Sequence, residues 1–310
     1  MESEELTGRK VPTCSRELLK GLGALAEKYN VHIQTHAAES VDQVALGMSP
    51  TLHTTEVSEI LHPTVRSQYP DMRRDIAILS SFNLLTDKTI LAHCTHLYDS
   101  EAVTLATIGS SIVSCPCSNV LMARAILPVN RFRTLGVEIG LGTDIAGGWS
   151  VSMVDSMRMA TLVSRIDGFH PPIDRAADPY HEDTTVGKGD EERINYGTAF
   201  YMATRGGALA LKLENVGAFE VGMQWDAVEV DLTWDEDDFS EDVVGAKEES
   251  VEVKFERWVC GHGGERGVKG VWVGGKQVFV SSVPSDYHSH CHPSTPTADK
   301  HPNTEAHHQM

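Results

Sequence analysis

The chain lacks long apolar runs, an excess of basic charge, cysteines packed at the spacing of a disulfide framework, and two familiar signatures of zinc hydrolysis. No segment approaches the ~18 consecutive apolar residues that a membrane span requires, so no transmembrane helix is expected. Lys and Arg number 26 against 44 Asp and Glu, a formal charge of −18. That sign excludes nucleic acid and anionic membranes as electrostatic partners. The opening Met1-Glu2-Ser3-Glu4-Glu5 is acidic, and no basic start leads into an apolar run with a small-residue cleavage site. No secretory signal is therefore expected. The six cysteines (Cys14, Cys94, Cys115, Cys117, Cys260, Cys291) are scattered along the chain. This predicts reduced thiols in a cytoplasmic protein rather than a disulfide scaffold. His-Glu-x-x-His is missing, which removes the zinc-protease pattern. The small zinc-deaminase pattern is missing too, because the spacing here is His36-x-x-Glu39 and no second cysteine follows Pro116-Cys117 at the required place.

What is present is a rhythm. Three segments end in metal-type or acid-base residues: Thr35-His36-Ala37-Ala38-Glu39, Leu91-Ala92-His93-Cys94, and Gly142-Thr143-Asp144-Ile145-Ala146-Gly147-Gly148. Each follows a short apolar run that reads as a buried parallel strand, over Val31–Thr35, Thr89–Ala92 and Val137–Leu141. A further run, Ser111–Ser114, ends in Cys115-Pro116-Cys117-Ser118-Asn119. Reactive residues at the carboxyl ends of successive parallel strands are the mark of a (β/α) barrel enzyme.

A full barrel takes roughly 250 residues for eight units. Four units are legible here, with an insertion between His36 and His93, and too little chain precedes His36 to hold four more. The expected architecture is α/β, a partial (β/α) TIM barrel of four strand–helix units. The expected boundaries are barrel over residues 11–215, a small appended β-sandwich over 216–280 with an acidic loop at 235–250, and a disordered tail over 281–310. Ser15 reads as the cap of a helix carrying Leu18, Leu19, Leu22, Leu25 and Ala26. Met153–Val163 reads as a helix in which Asp155 and Arg158 pair, and Tyr196–Leu211 as another. Gly274-Gly275 reads as a two-residue hairpin turn.

The candidate chemistry follows from residue type. His36 and Asp144 offer an imidazole and a carboxylate, donors suited to zinc, with iron as the alternative. A metal there makes hydroxide available near neutral pH. Asp144 can take the water's proton, and Glu39 can shuttle it to a leaving group. His93 can hydrogen-bond the hydroxide or the developing oxyanion. Gly147-Gly148 would let backbone approach a flat ligand. Taken singly, a strand-end His is commonly structural, and Gly-Thr-Asp opens ordinary helices. The conjunction, in this order and at barrel pitch, is what points to a site. Cys115 and Cys117 read as ordinary loop residues rather than a redox pair, Ser118-Asn119 as substrate positioners, and the tail histidines as a biased segment without function.

Several runs resemble guanine deaminase of the amidohydrolase superfamily. They are Val11-Pro12-Thr13-Cys14-Ser15, Gln34 to Ser40, Ala92-His93, Cys115 to Asn119, Gly140 to Met153, Gly217 to Gly222 and Gly274 to Val278. The resemblance implies that the four units are the last four of a metal-dependent hydrolase barrel. It also implies zinc-dependent hydrolysis of guanine to xanthine and ammonia. It makes His36 and Asp144 zinc ligands and His36, Glu39 and Asp144 the substrate-facing residues. Glu39 relays the proton, His93 assists at the attacking water, and the assembly is a homodimer. It also implies a His-x-His pair on the first barrel strand, and no such pair stands at a matching place. The implied purine-holding Pro-Arg-Phe element is not matched by Leu6-Thr7-Gly8-Arg9-Lys10. The expectation is therefore a truncated, poorly stable and inactive form. Two alternatives stay open: a related amidohydrolase acting on a pterin, a cytosine-like base or a chlorotriazine, or a non-catalytic half-barrel that pairs with another chain.

Overall fold

The computed structural model describes residues 5–7 (backbone only), 10–40, 43, 74–166, 193–232, 250–261 and 267–281. Five short strands run parallel in one sheet, in chain order: β1 (Glu5–Thr7), β2 (His32–Ala37), β3 (Thr89–His93), β4 (Ser111–Ser114) and β5 (Glu138–Leu141). Each strand pairs with the next in sequence. Parallel neighbours require a crossover, and helices Arg16–Tyr29, Asp75–Ser81, Asp99–Ile108 and Val129–Thr134 stand between them.

The sequence reading counted four strands, and the structure adds β1 before them. Glu5-Leu6-Thr7 offers one apolar residue, too little pattern to read as a strand. β2 also runs past the expected Thr35, so His36 lies inside the strand and not after it.

The elements form where the sequence places them for identifiable reasons. The Ser15 hydroxyl accepts from the Leu18 amide at 3.2 Å, capping Arg16–Tyr29, and left-handed Asn30 ends that helix. Its buried stripe is Leu19, Gly23 and Ala26, whereas the expected core residues Leu18 and Leu25 are exposed. β3 is buried along its whole length, as a central parallel strand covered on both faces should be. β2 alternates instead, and His32, Gln34 and His36 share its less covered face. Leu91, Leu105, Ile112, Phe132 and Ile139 fill the core between sheet and helices.

Helix Met153–Val163 occupies the expected residues, and Arg158 Nη1 meets Asp155 Oδ1 at 2.8 Å. The expected Tyr196–Leu211 helix is broken by a π-helical turn at Met202–Gly206, between Tyr196–Tyr201 and Gly207–Ala210. A second, antiparallel sheet holds β6 (Ala227–Val230), β7 (Val268–Val273) and β8 (Lys276–Val280). Gly274 and Gly275 both take left-handed backbone between β7 and β8, the requirement of a tight hairpin turn. A sandwich needs a second facing sheet, and the described residues supply one sheet of three strands there. The sequence reading missed helix Val251–Cys260, which buries Trp258 and Val259 in the core. Most of the acidic loop, the 41–73 insertion apart from Gln43, residues 167–192 and the tail beyond 281 lie outside the described residues. Among those described, no helix is long and apolar enough to cross a membrane.

Central burial sets a stability prediction. Leu91→Ala, in the middle of β3, should cost about 2–5 kcal/mol. Leu18→Ala, on the exposed side of its helix, should stay within about 0.5 kcal/mol of the parent. Urea unfolding midpoints of the two variants would check the contrast.

Candidate active site

Strand register builds the site. Ala37 lies opposite His93, and His36 opposite Ala92, so the two histidines end adjacent strands one position apart. Their rings meet edge to face with centroids 4.6 Å apart, and His93 Nε2 lies 3.1 Å from His36 Nδ1. Asp144 follows β5 and sends Oδ2 to within 4.0 Å of His93 Nε2. Ligand atoms of His36, His93 and Asp144 all fall within 4.8 Å of one another. Glu39 stands over them, Oε2 at 3.9 Å from His36 Nδ1 and Oε1 at 3.9 Å from His93 Nε2. The four candidates named from sequence, His36, Glu39, His93 and Asp144, thus converge at one end of the sheet.

The backbone turns sharply at each strand end to aim these groups. Ala38, His93, Cys94 and Asp144 all adopt positive φ, a conformation that costs L residues energy and persists where surroundings enforce it. The loop after Asp144 shows how. A Cβ on Gly148 would lie 2.1 Å from the Thr143 carbonyl oxygen, and one on Gly147 would lie 2.6 Å from Asp144 Oδ2. These glycines let the loop fold back on its own strand end, where the Gly148 amide donates to the Asp144 carbonyl at 2.6 Å. The sequence reading gave them to a flat ligand, and local packing already requires them.

Asn119 also has a firmer role than substrate positioning. Its Oδ1 accepts from His93 Nδ1 at 2.8 Å, which leaves the Nε2 lone pair facing His36 and Asp144. Neighbouring Ser118 is fully buried. Its hydroxyl has no partner among the described residues. Cys115 and Cys117 are buried, and burial pushes the Cys115 thiol up to about 12 and raises Cys117. Neither is a thiolate at neutral pH, in keeping with ordinary loop residues.

Electrostatics divide the site. Burial holds the His93 imidazole below its ordinary range, against the pull of the Glu39 carboxylate. Burial would also raise Glu39, but hydrogen bonds with His36 and Lys10 and the charges of His93 and Lys10 outweigh it and hold the carboxyl at about 2. Lys10, named from sequence only within the run that fails to match the purine-holding element, is bonded directly to Glu39 Oε2. Nothing in the local sequence pattern marks it as a partner of Glu39.

A parallel α/β sheet with an imidazole, imidazole and carboxylate cluster at its carboxyl end defines a metal-dependent hydrolase, and the model of the Amidohydrolase family matches residues 1–278. The chain belongs to that family. Within it, the mouse protein "Guanine deaminase" is 32% identical over 284 residues, covering 90% of this chain and 54% of that protein. E. coli guanine deaminase superposes with a TM-score of 0.68 at 24% identity, over 89% of this chain and 55% of that one. Guanine deaminase from C. acetobutylicum, solved with bound guanine, gives 0.63 at 26% identity, over 87% and 54%. The chain spans about half the length of the relatives it matches.

Glu39 supplies a pH prediction. Its folded carboxyl lies near 2 against an ordinary 4.5. The stability it contributes is present above the ordinary value and is lost as pH falls through the folded one. Metal-free Glu39→Gln should trail the parent most above pH 4.5, with the gap closing toward pH 2; urea midpoints across that range would check it.

Proposed function

We propose that this site hydrolyses the exocyclic amine of guanine, giving xanthine and ammonia, and that a divalent metal completes it. The observation carrying the reading is the convergence of His36, His93 and Asp144 with ionised Glu39 alongside. The imidazole of His36 and the carboxylate of Asp144 belong to the donor set of a catalytic zinc site, and iron is the alternative that the same donors admit. Bound there, the metal supplies Lewis acidity and lowers the pKa of water. His36 and Asp144 would hold it, with His93 beside them.

The chain's own groups account for the proton traffic. Glu39 takes one proton from the attacking water and delivers it to the ring nitrogen, where it stays in the product. Asp144 accepts the second, which passes by way of Glu39 to the departing amine and leaves with it as ammonia. His93, kept in a fixed tautomer by Asn119, accepts a hydrogen bond from the attacking water through the Nε2 lone pair and so orients it. Lys10 keeps Glu39 ionised but weakly basic, so a ring seated between the two side chains must part them before Glu39 can act as base.

The same reading treats the parallel sheet as part of a (β/α) barrel whose expected span, 11–215, is extended toward the amino terminus by β1 (Glu5–Thr7), with an appended β domain at 216–280, in a cytoplasmic homodimer. β1 and β5 are the outer strands of the sheet as described, and His36 and Asp144 keep 32% and 25% of their side chains exposed. Water reaching these groups weakens the electrostatics on which the chemistry depends. Turnover by this chain alone should therefore fall well below that of mouse guanine deaminase.

Two measurements test the reading. Zinc-loaded chain incubated with guanine should form xanthine and ammonia in equal amounts, and Glu39→Gln should lower the rate about 10²–10⁴-fold. Release of ammonia from a pterin, cytosine or aminotriazine but not from guanine would overturn the substrate. Asn119→Ala should lower the rate on guanine about 10–100-fold, read by xanthine formation at saturating zinc.

A further inference from the structure

Glu39 sits on a short irregular segment after β2, so something outside the strand must hold it in place. Its side chain contacts Lys10 and lies within 3.9 Å of His36 and His93. Its backbone is held from a different direction. The Glu39 amide donates to Gln43 Oε1 at 3.2 Å, and the Glu39 carbonyl accepts from the Thr95 hydroxyl at 2.8 Å. Gln43 is itself fixed, because its Nε2 donates to Asp75 Oδ2 at 2.6 Å. The same Asp75 oxygen accepts from the Ala38 amide at 2.8 Å.

Ala38 is the residue whose left-handed backbone turns the chain back over the strand end. A single oxygen of Asp75 thus anchors both the turn and the glutamine that holds the next amide. Gln43 is buried, and Glu39 is only 7% exposed, so water competes weakly for these bonds. Nothing in the chemistry assigned above uses Asp75 or Gln43.

We propose that Asp75 and Gln43 are positioning residues: together they fix the backbone of Glu39 so that its carboxylate faces His36 and His93. The proposal rests on the reading of Glu39 as proton carrier. Displacement of such a group by about 1 Å can cost on the order of 10²-fold in rate. Asp75→Asn keeps an acceptor oxygen for both donors, whereas Asp75→Ala and Gln43→Leu remove the link.

The test compares these three variants with the zinc-loaded parent. Gln43→Leu and Asp75→Ala should lower kcat about ten- to a hundredfold with KM within about threefold, and Asp75→Asn should recover most of the loss. Amide exchange at Ala38 and Glu39 should quicken in the two damaging variants, while the Thr89–His93 amides keep their protection. Parent-level kcat and Glu39 amide exchange in Gln43→Leu would overturn the proposal. So would uniform loss of protection across β3, which would make the pair a support of the whole fold. A parent that releases no ammonia from any ring defeats the functional reading instead. Amide exchange, together with the Glu39 side-chain carbon shift, would then decide the positioning claim without turnover.

Discussion

The parallel pairing of β2 with β3 is the constraint on which the rest depends. A parallel register sends both strands out of the sheet at the same end, so residues far apart in the chain arrive as neighbours. His36 and His93, separated by the whole insertion, come within 3.1 Å only because Ala37 lies opposite His93. A slip of one position would turn His36 to the other face of β2, among Ile33, Thr35 and Ala37 in the core. Burial of Leu91 and Ile33 therefore does more than stabilise the sheet. It specifies which pair of atoms can meet.

Around that meeting point, the groups are matched through opposing effects. Burial pushes Glu39 upward, and it keeps His93 short of its ordinary basicity. Lys10 and His36 reverse the effect for the carboxylate, so one group stays ionised beside another that stays neutral. Both shifts run downward, so the pocket presents two deprotonated groups, a carboxylate and a neutral imidazole, each able to accept a proton.

The sequence made the centre of this arrangement readable and left its supports hidden. Strands ending at His36, His93 and Asp144 announce themselves because a buried parallel strand is a short apolar run, and the four site residues follow those runs directly. β1 was missed because three residues with one apolar side chain carry no periodicity. The roles of Lys10, Asn119, Gln43 and Asp75 could not be read, since they depend on partners 29, 26, 32 and 37 residues away along the chain, with no repeating pattern between them. Helix Val251–Cys260 was overlooked beside its acidic neighbour, although Ser250 caps it by accepting from the Val253 amide. Long-range polar contacts are the part of a fold that local pattern does not encode.

The glycines after Asp144 have a consequence for how such chains diverge. Gly147 and Gly148 are required by atoms of their own loop, Asp144 Oδ2 and the Thr143 carbonyl. Any descendant that keeps this loop folded back on its strand end must keep glycine at 148, where even an alanine Cβ would meet the Thr143 carbonyl, whereas at 147 the Asp144 carboxylate would have to give way. The most recognisable stretch of the sequence therefore records the folding of its own backbone. The exposed Ile145, Trp149 and Val151 beside it are free of that constraint, and divergence would be written there first.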